Sequence, residues 1–218
     1  MWLFRSLPAL VVASGLFASA AFAHPHIFVD TALTLRISAK GELLGIEVTW
    51  VFDDLYSLVV LEERALDPDF DGELTTEELA SMQEFTQEWI GDTAGDLFVT
   101  QDTTTLPLGA PTETVTEVSQ GRITTRHLRP LTAPVAADGL VIQAYDPTYY
   151  TAYLVGSRVT LPEMDACSVT VTEPNFDLAY TLVEETLYAM SSAEAEENFP
   201  KIGQSFADTI RISCALGS

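Results

Sequence analysis

The sequence predicts an α+β fold: mainly an antiparallel β-sheet or sandwich, with an inserted EF-hand-like helix–loop–helix and a C-terminal helix. Runs that alternate apolar and polar residues, as half-buried strands do, recur through most of the chain after residue 26. An acidic loop between two helical patterns interrupts them at 67–78. A later helical pattern, FDLAYTLVEETLYAM at 176–190, precedes a final strand-like run. This order of elements is typical of a sheet-rich α+β protein.

The first elements form a predicted β-hairpin. IFVDTALTLRIS, from Ile27, alternates apolar and polar residues, and LLGIEVTWVFD, which ends at Asp53, does the same. Between them, Ala39–Glu42 contains the glycine and polar residues of a turn. Two alternating runs that a short turn separates are expected to pair as antiparallel strands.

A helix–loop–helix follows the hairpin. Asp53 or Asp54 can cap a helix over LYSLVVLEERAL, because aspartate side chains accept hydrogen bonds from the first free backbone N–H groups. The exit helix begins at Thr75 or Thr76, and its apolar residues recur at spacings of three and four. We therefore place the EF-hand-like insert at 54–91.

The rest of the chain is predicted to be β-structure around one more helix. Two alternating runs flank Gly121 and predict a second hairpin, and PVAADG at 134–139 is expected to be a loop. TAYLVGSRVTL at 151–161 predicts a further strand pair, and SFADTIRISCALG supplies the last strand.

The loop between the two predicted helices matches the calcium pattern D-x-[DN]-x-[DN]-G-x5-E without departure. Calcium takes six to eight oxygen ligands, and Gly72 permits the sharp turn that brings alternate residues inward. The predicted ligands are Asp67, Asp69, Asp71, Glu73 through its backbone carbonyl, Thr75 and Glu78. The sequence therefore predicts a Ca²⁺ site, which we interpret as a structural clamp because the chain contains this loop once.

Residues 1–23 have the pattern of a secretory signal peptide. One arginine precedes an apolar stretch, and Ala21-Phe22-Ala23 matches the cleavage signature. An uncleaved anchor is the alternative. Cleavage would leave a single periplasmic domain of 195 residues at 24–218 (218 minus 23), with no second apolar stretch able to span a bilayer.

The charge of the chain excludes some partners. It has 10 basic and 32 acidic residues, a net charge of −22. Nucleic-acid binding needs a basic surface, so we expect no nucleic-acid partner. Metal ions are the partners that such a charge favours, although an acidic proteome would give the same composition.

The two cysteines predict one disulfide. Cys167 and Cys214 both lie in strand-like runs of the exported part, where an oxidising compartment favours a bridge between an even pair. Neither belongs to a C-x-x-C motif or neighbours a histidine, so a thiol metal site is disfavoured.

The mature N-terminus predicts a transition-metal site. Cleavage would give His24 a free α-amine beside its imidazole, and strand alternation would place His26 and Asp30 on the same face. Imidazole suits nickel, cobalt, zinc and copper. Pro25 lacks an amide proton, which excludes a planar site built from deprotonated amides. Further ligands must come from elsewhere, and His127 is the remaining histidine; alternatively, the two histidines simply open the first strand.

The order of HPHIFVD, VTWVFDDLYS, a calcium loop, AYDPTYY and two late cysteines resembles a known family across the mature chain. It is the periplasmic family numbered one thousand and seven among the domains of unknown function, whose members are often labelled as a component of an ABC-type transport system. The resemblance implies an accessory role in metal handling beside permeases of the nickel/cobalt efflux type. The family pattern falls on His24, Pro25, His26, Asp30, Trp50, Phe52, Asp53, Tyr145, Asp146, Pro147, Tyr149 and Tyr150.

Two functional hypotheses follow. The first is a periplasmic calcium-binding accessory protein for transition-metal handling or transport, whose weaker candidate ligands are Asp30, Asp53, His127 and Asp146. The alternative is a calcium-stabilised interaction module that docks to an inner-membrane metal permease without binding a transition metal, with Tyr145–Tyr153 as the suspected surface. We do not expect an enzyme, because the chain contains no G-x-S-x-G, H-E-x-x-H or phosphate-loop motif.

Overall fold

The computed structural model describes residues 25–92, 95–161, 166–191, 194 and 200–215. The predicted signal peptide, 1–23, and His24 lie outside the described residues. The strands are β1 (Ile27–Ile37), β2 (Glu42–Phe52), β3 (Leu97–Gln101), β4 (Thr104–Leu106), β5 (Thr112–Ser119), β6 (Arg122–Ala136), β7 (Val141–Ala144), β8 (Thr151–Leu154), β9 (Val159–Thr160), β10 (Cys167–Thr172) and β11 (Thr209–Cys214). The helices are α1 (Asp54–Glu63), α2 (Thr76–Asp92) and α3 (Phe176–Tyr188), with a short 3₁₀ turn at Gly203–Phe206. The α+β prediction is confirmed.

Two sheets share one hydrophobic core. The first has the order β5-β6-β2-β1-β8, with β9 also on β1, and the second has the order β10-β11-β7-β3-β4. Alternation decides which side chains face inward: Val29, Leu33 and Leu35 of β1 are fully buried, as are Ile142 and Ile210 of the second sheet. These residues belong to one continuous cluster of buried side chains. The first hairpin and the hairpin around residue 121 form as predicted.

The prediction of a strand pair within 151–161 was wrong. β8 and β9 both pair with β1, and both run parallel to it. The Arg158 carbonyl accepts a hydrogen bond from the Leu33 backbone N–H (2.9 Å) where the pairing with β9 begins. The two short strands are therefore successive parts of one edge of the sheet.

The loop predicted at 134–139 is shorter than expected. β6 continues through Ala136, where Val135 and Ala136 still pair with Leu43 and Glu42 of β2. Because β2 offers backbone hydrogen-bonding partners along its full length, β6 continues past Pro134, where its own sequence would predict a loop. Local strand propensity does not account for such a tertiary effect.

The start of α1 follows the predicted cap. Asp53 has an extended backbone, and its Oδ1 accepts a hydrogen bond from the Tyr56 backbone N–H at 2.8 Å. Val60 and Leu61 are buried in the common core. This face fixes α1 on the sheet and sets where the acidic loop begins.

α2 packs against the first sheet at β5. Met82 and Ile90 are buried. Between them, the Gln83 side chain donates to the Thr114 carbonyl (2.9 Å) and accepts from the Thr116 backbone N–H (2.6 Å). The amide of Gln83 thus bonds α2 to strand β5 in a fixed register.

α3 lies in the segment that joins β10 to β11. The predicted Cys167–Cys214 disulfide is confirmed, and the two cysteines face each other in the antiparallel register. Ala179 and Val183 of α3 pack with Phe206 in a small cluster separate from the main core. No helix within the described ranges is long and apolar enough to cross a membrane.

Candidate calcium site and its surroundings

The acidic loop is held at both ends by apolar residues. Leu66 is buried just before its first aspartate, and its backbone N–H donates to the Leu61 carbonyl at 2.9 Å. Leu74, at position eight of the loop, packs against the core. These contacts hold the loop between α1 and α2, with Asp67 buried and Asp69 and Asp71 exposed.

The first three predicted ligands do converge. One carboxylate oxygen each from Asp67, Asp69 and Asp71 lies within 4.8 Å of the others. Oxygens that share one calcium ion, each about 2.3–2.6 Å from it, are no more than about 5 Å apart. The spacing of the three carboxylates therefore fits a single calcium ion, as the sequence pattern predicts.

Hydrogen bonds from the backbone give the loop its curvature. Asp67 is only 7% exposed, and its two carboxylate oxygens accept the backbone N–H groups of Asp71 (3.0 Å) and Gly72 (3.1 Å). The backbones of Asp67, Phe70 and Gly72 adopt φ angles of +51°, +56° and +81°. Left-handed residues at this spacing turn the chain tightly enough to bring alternate side chains to one side.

Glu78 closes the loop. Its Oε2 accepts hydrogen bonds from the backbone N–H (2.8 Å) and the hydroxyl (2.7 Å) of Thr75, a capping box at the start of α2. These Thr75 bonds, with a smaller contribution from the backbone of Asp67, hold the pKa of Glu78 below its usual value. The carboxylate of position twelve is therefore ionised and beside position one, where a bidentate calcium ligand belongs.

The charge around the loop favours a cation. Residues 54–92 contain twelve acidic residues and one basic residue, Arg64. The guanidinium of Arg64 lies over the ring of Phe85, 3.3 Å from its centroid, in a cation–π contact. Half of the net charge of the chain thus lies in the helix–loop–helix.

At the N-terminal end of β1, the structure describes one of the two predicted histidine ligands. His26 is exposed, its backbone N–H donates to the Tyr150 carbonyl (2.9 Å), and its ring centroid lies 4.8 Å from that of Tyr150. The residues just before β1 are therefore held against the AYDPTYY segment, which joins two motifs that are far apart in sequence.

Two of the weaker metal candidates already have partners. Asp30 forms ion pairs with Arg158 (2.9 Å) and Arg122 (3.6 Å) on the open face of the first sheet. Besides capping α1, Asp53 accepts the backbone N–H of Phe28 through Oδ2 (2.7 Å). These carboxylates fix the position of β1 relative to α1 and β8.

Asp146 is also engaged in local structure. Its carboxylate accepts the backbone N–H groups of Thr148 (2.8 Å) and Thr151 (3.1 Å), which shape the turn before β8. That turn packs closely on the Gly203–Phe206 segment, where the rings of Tyr149 and Phe206 stack with centroids 3.9 Å apart.

His127 is not brought to His26. It is fully buried on the inner face of β6, with its ring centroid 4.8 Å from that of Trp50. His127 pairs with Val48, which pairs with Leu33, the seventh residue after His26. The separation along the strand is about 23 Å at roughly 3.3 Å per residue.

A buried polar group near His127 was not predicted from the sequence. Asp96 Oδ2 accepts a hydrogen bond from the Tyr153 hydroxyl at 2.8 Å, and Arg129 is buried beside Gly95. Burial raises the pKa of Asp96 to about 6, although the Tyr153 bond and the Arg129 charge oppose the rise. The interior of the protein therefore contains ionisable groups as well as apolar ones.

The sequence does contain a signal for part of this group. Thr125, His127 and Arg129 share the inward phase of strand β6 with the buried Ile123. An arginine on the inward phase of an alternating strand predicts a buried acidic partner. The carboxylate whose charge acts on Arg129 is the half-buried Asp96, which precedes β3 and could not be identified by local reasoning.

Comparison with known proteins gives one result at the family level. No curated protein and no solved structure matches the chain. A family model matches residues 9–214, which include the predicted N-terminal motif, the acidic loop and both cysteines. The chain belongs to the family described as "Protein of unknown function (DUF1007)".

Proposed function

We propose that this protein is a periplasmic calcium-binding accessory protein that takes part in transition-metal handling or transport beside an inner-membrane metal permease. The observation that carries the calcium assignment is the convergence of Asp67, Asp69 and Asp71, with carboxylate oxygens within 4.8 Å of one another. Glu78 beside the loop start, the carbonyl of Glu73 and the hydroxyl of Thr75 occupy the other positions of the pattern.

Calcium suits this loop better than magnesium. Calcium accepts six to eight oxygens in a flexible shell, whereas magnesium demands near-octahedral geometry and keeps several waters. The loop supplies five ligand side chains and one backbone carbonyl, which together provide the six or more oxygen ligands that calcium requires. Extracellular calcium modules work with dissociation constants on the order of 10⁻⁴ to 10⁻³ M, and we expect a value in this range.

The calcium assignment is tested by calorimetric titration with Ca²⁺ and Mg²⁺. Asp69 is an exposed predicted ligand, so Asp69→Asn removes a charge without emptying the core. We expect Asp69→Asn to weaken Ca²⁺ binding severalfold through the lost charge, because asparagine still provides an oxygen ligand at position three. Asp102→Asn, an exposed aspartate in the β3–β4 turn, is the matched control and should leave the affinity unchanged. Absence of Ca²⁺ binding by the unaltered protein at millimolar concentration would refute the assignment.

The transition-metal part of the proposal depends on His24 and His26. The carboxylates of Asp30, Asp53 and Asp146 have protein partners, and His127 is buried away from His26. A histidine chelate at a free N-terminus needs the α-amine and the first imidazole, with His26 as a third nitrogen on the same face of the strand.

Titration of calcium-saturated, signal-processed protein with nickel, cobalt, zinc and copper tests this part. One alanine inserted before His24 moves the amine and keeps both imidazoles. Loss of binding in this variant supports the chelate. Unchanged nickel, cobalt, zinc and copper affinity after both His24→Gln and His26→Gln would refute a histidine site.

The alternative is an interaction module that docks to the permease without a transition metal. Tyr150 favours it, because this residue is 47% exposed beside His26, whereas Tyr149 is half-buried in a stack with Phe206 and Tyr153 is buried. A pull-down with a candidate permease should lose the partner with Tyr150→Ala and keep it with Tyr150→Phe. Equal recovery with both variants would count against this surface.

A further inference from the structure

We propose that the turn between β5 and β6 contributes to calcium binding by holding the acidic loop in the conformation that binds the ion. Paired EF-hand loops support each other; here the turn at Ser119–Arg122 lies against the single loop instead. The inference rests on the proposed calcium function and assigns positioning residues to it.

The two segments touch through their backbones. The Gly121 backbone N–H donates to the carbonyl of Gly72 at 2.9 Å. A Cβ on Gly72 would lie 2.8 Å from that nitrogen and 3.0 Å from the Gln120 carbonyl carbon. Position 72 therefore requires glycine for two reasons, its φ of +81° and this close approach to the turn.

Glu73 adds a side-chain contact. Its Oε1 accepts hydrogen bonds from the Gln120 backbone N–H (3.3 Å) and the Ser119 hydroxyl (3.4 Å). Glu73 is position seven, where the pattern uses the backbone carbonyl as a ligand and leaves the side chain unused. The side chain thus bonds to the turn while the carbonyl serves the ion.

The turn is a rigid support. Ser119 pairs with Arg122, so only Gln120 and Gly121 form the loop of the hairpin, with φ angles of +52° and +72°. Two left-handed residues in a two-residue loop are the geometry that matches the twist of a β-hairpin. On the other side of the loop, Gln83 bonds α2 to the same hairpin. The exit helix, the loop and the hairpin are therefore joined at two places.

This arrangement explains how one loop can suffice. A flexible loop must be ordered when the ion binds, and the cost of that ordering weakens the affinity. Anchoring the carbonyl of Gly72 and the side chain of Glu73 fixes the two peptide units next to the ligand carbonyl. Removing the anchor should therefore weaken calcium binding although no ligand is lost.

The test compares Glu73 with Glu77, an exposed carboxylate at position eleven of the same loop. Glu73→Ala removes both a charge and the acceptor for the turn, whereas Glu77→Ala removes a charge. Glu73→Gln keeps an acceptor oxygen, and Glu77→Gln is its control. By calorimetry we expect Ca²⁺ affinity to fall about fivefold further in Glu73→Ala than in Glu77→Ala, the size of one net hydrogen bond. Glu73→Gln and Glu77→Gln should bind equally.

Equal affinities of Glu73→Ala and Glu77→Ala would overturn the inference, as would a Glu73→Gln variant as weak as Glu73→Ala. Amide exchange of the calcium-free protein gives an independent readout. The Gly121 N–H should exchange slowly in the unaltered protein and faster in Glu73→Ala. Rapid Gly121 exchange in a protein that binds calcium would refute this inference alone. A protein that binds no calcium would refute the proposed function and the positioning role with it.

Discussion

Asp96, which is half-buried, and His127, which is fully buried, are ionisable groups whose pKa values shift in opposite directions. Burial raises the pKa of Asp96 from 3.8 to about 6, helped by the charge of Asp146 and opposed by Tyr153 and Arg129. Burial also lowers the pKa of His127 from 6.5 to about 4, and the positive charge of Arg129 adds to this. The fold therefore favours the neutral form of both groups.

The two shifts give opposite dependences of stability on pH. Asp96 has a raised pKa, so its contribution is fully present below pH 3.8 and is lost as the pH rises through about 6. His127 has a lowered pKa, so its contribution is present above pH 6.5 and is lost as the pH falls towards 4. The shift for the fully buried His127 corresponds to about 3 kcal/mol in free energy of unfolding, and solvent screening reduces the value for the half-buried Asp96 to about 2–3 kcal/mol.

Asp96→Asn separates the two effects. Asparagine cannot ionise but retains an oxygen that accepts the Tyr153 hydroxyl bond. Relative to the unaltered protein, we expect the variant to gain about 2–3 kcal/mol of unfolding free energy between pH 4 and pH 8, because it no longer carries a buried charge at high pH. The contribution of His127 is the same in both proteins and cancels from this difference.

Urea denaturation at several pH values measures this difference. Asp102→Asn, at an exposed turn, is the control, and its difference from the unaltered protein should not change with pH. If the difference for Asp96→Asn is also constant from pH 4 to 8, Asp96 is not buried in the way its surroundings indicate. A difference that falls with pH would reverse the sign and refute the reasoning.

Two further predictions concern the second half of the chain. Gly203→Ala would place a Cβ 1.8 Å from the Asp146 carbonyl oxygen, so we expect the free energy of unfolding measured with urea to fall by about 2–3 kcal/mol. The control is Gly139→Ala, whose Cβ would meet no atom within 4 Å and which should cost about 1 kcal/mol for backbone strain. Equal losses in the two variants would contradict the close packing at Gly203. Replacing Cys167 and Cys214 together by serine opens a loop with a sequence separation of 47, and the chain-entropy model predicts a loss of about 4 kcal/mol in the free energy of unfolding. Calcium affinity measured by calorimetry should stay unchanged. A weaker affinity would show that the disulfide supports more than the two strands it joins.

Local patterns were sufficient wherever neighbouring residues in sequence determine the structure. The acidic loop at 67–78 is such a case, because its aspartates, glycine and capping threonine lie within twelve residues and bond mainly to one another. The Asp53 cap and the first hairpin are equally local. The disulfide was predicted because oxidising compartments pair even cysteines, and the register of β10 and β11 places the two side by side.

Contacts between distant segments could not be predicted in the same way. No local signal shows that β8 and β9 would lie parallel to β1 rather than pair with each other. Likewise, Asp30 resembles a free ligand in sequence, and only the folded chain brings Arg158 to it as an ion-pair partner.

The sequence by itself determined the α+β class, the convergence of the three loop aspartates, the disulfide and the membership of a family, because each depends on alternation, local spacing, an even number of cysteines or the order of motifs. The tertiary structure alone decided that His127 is buried far from His26 and that the β5–β6 turn lies against the loop at Gly72. The physical reason is that strand pairing joins residues dozens of positions apart, and the phase of each strand then assigns side chains to the core or to the surface.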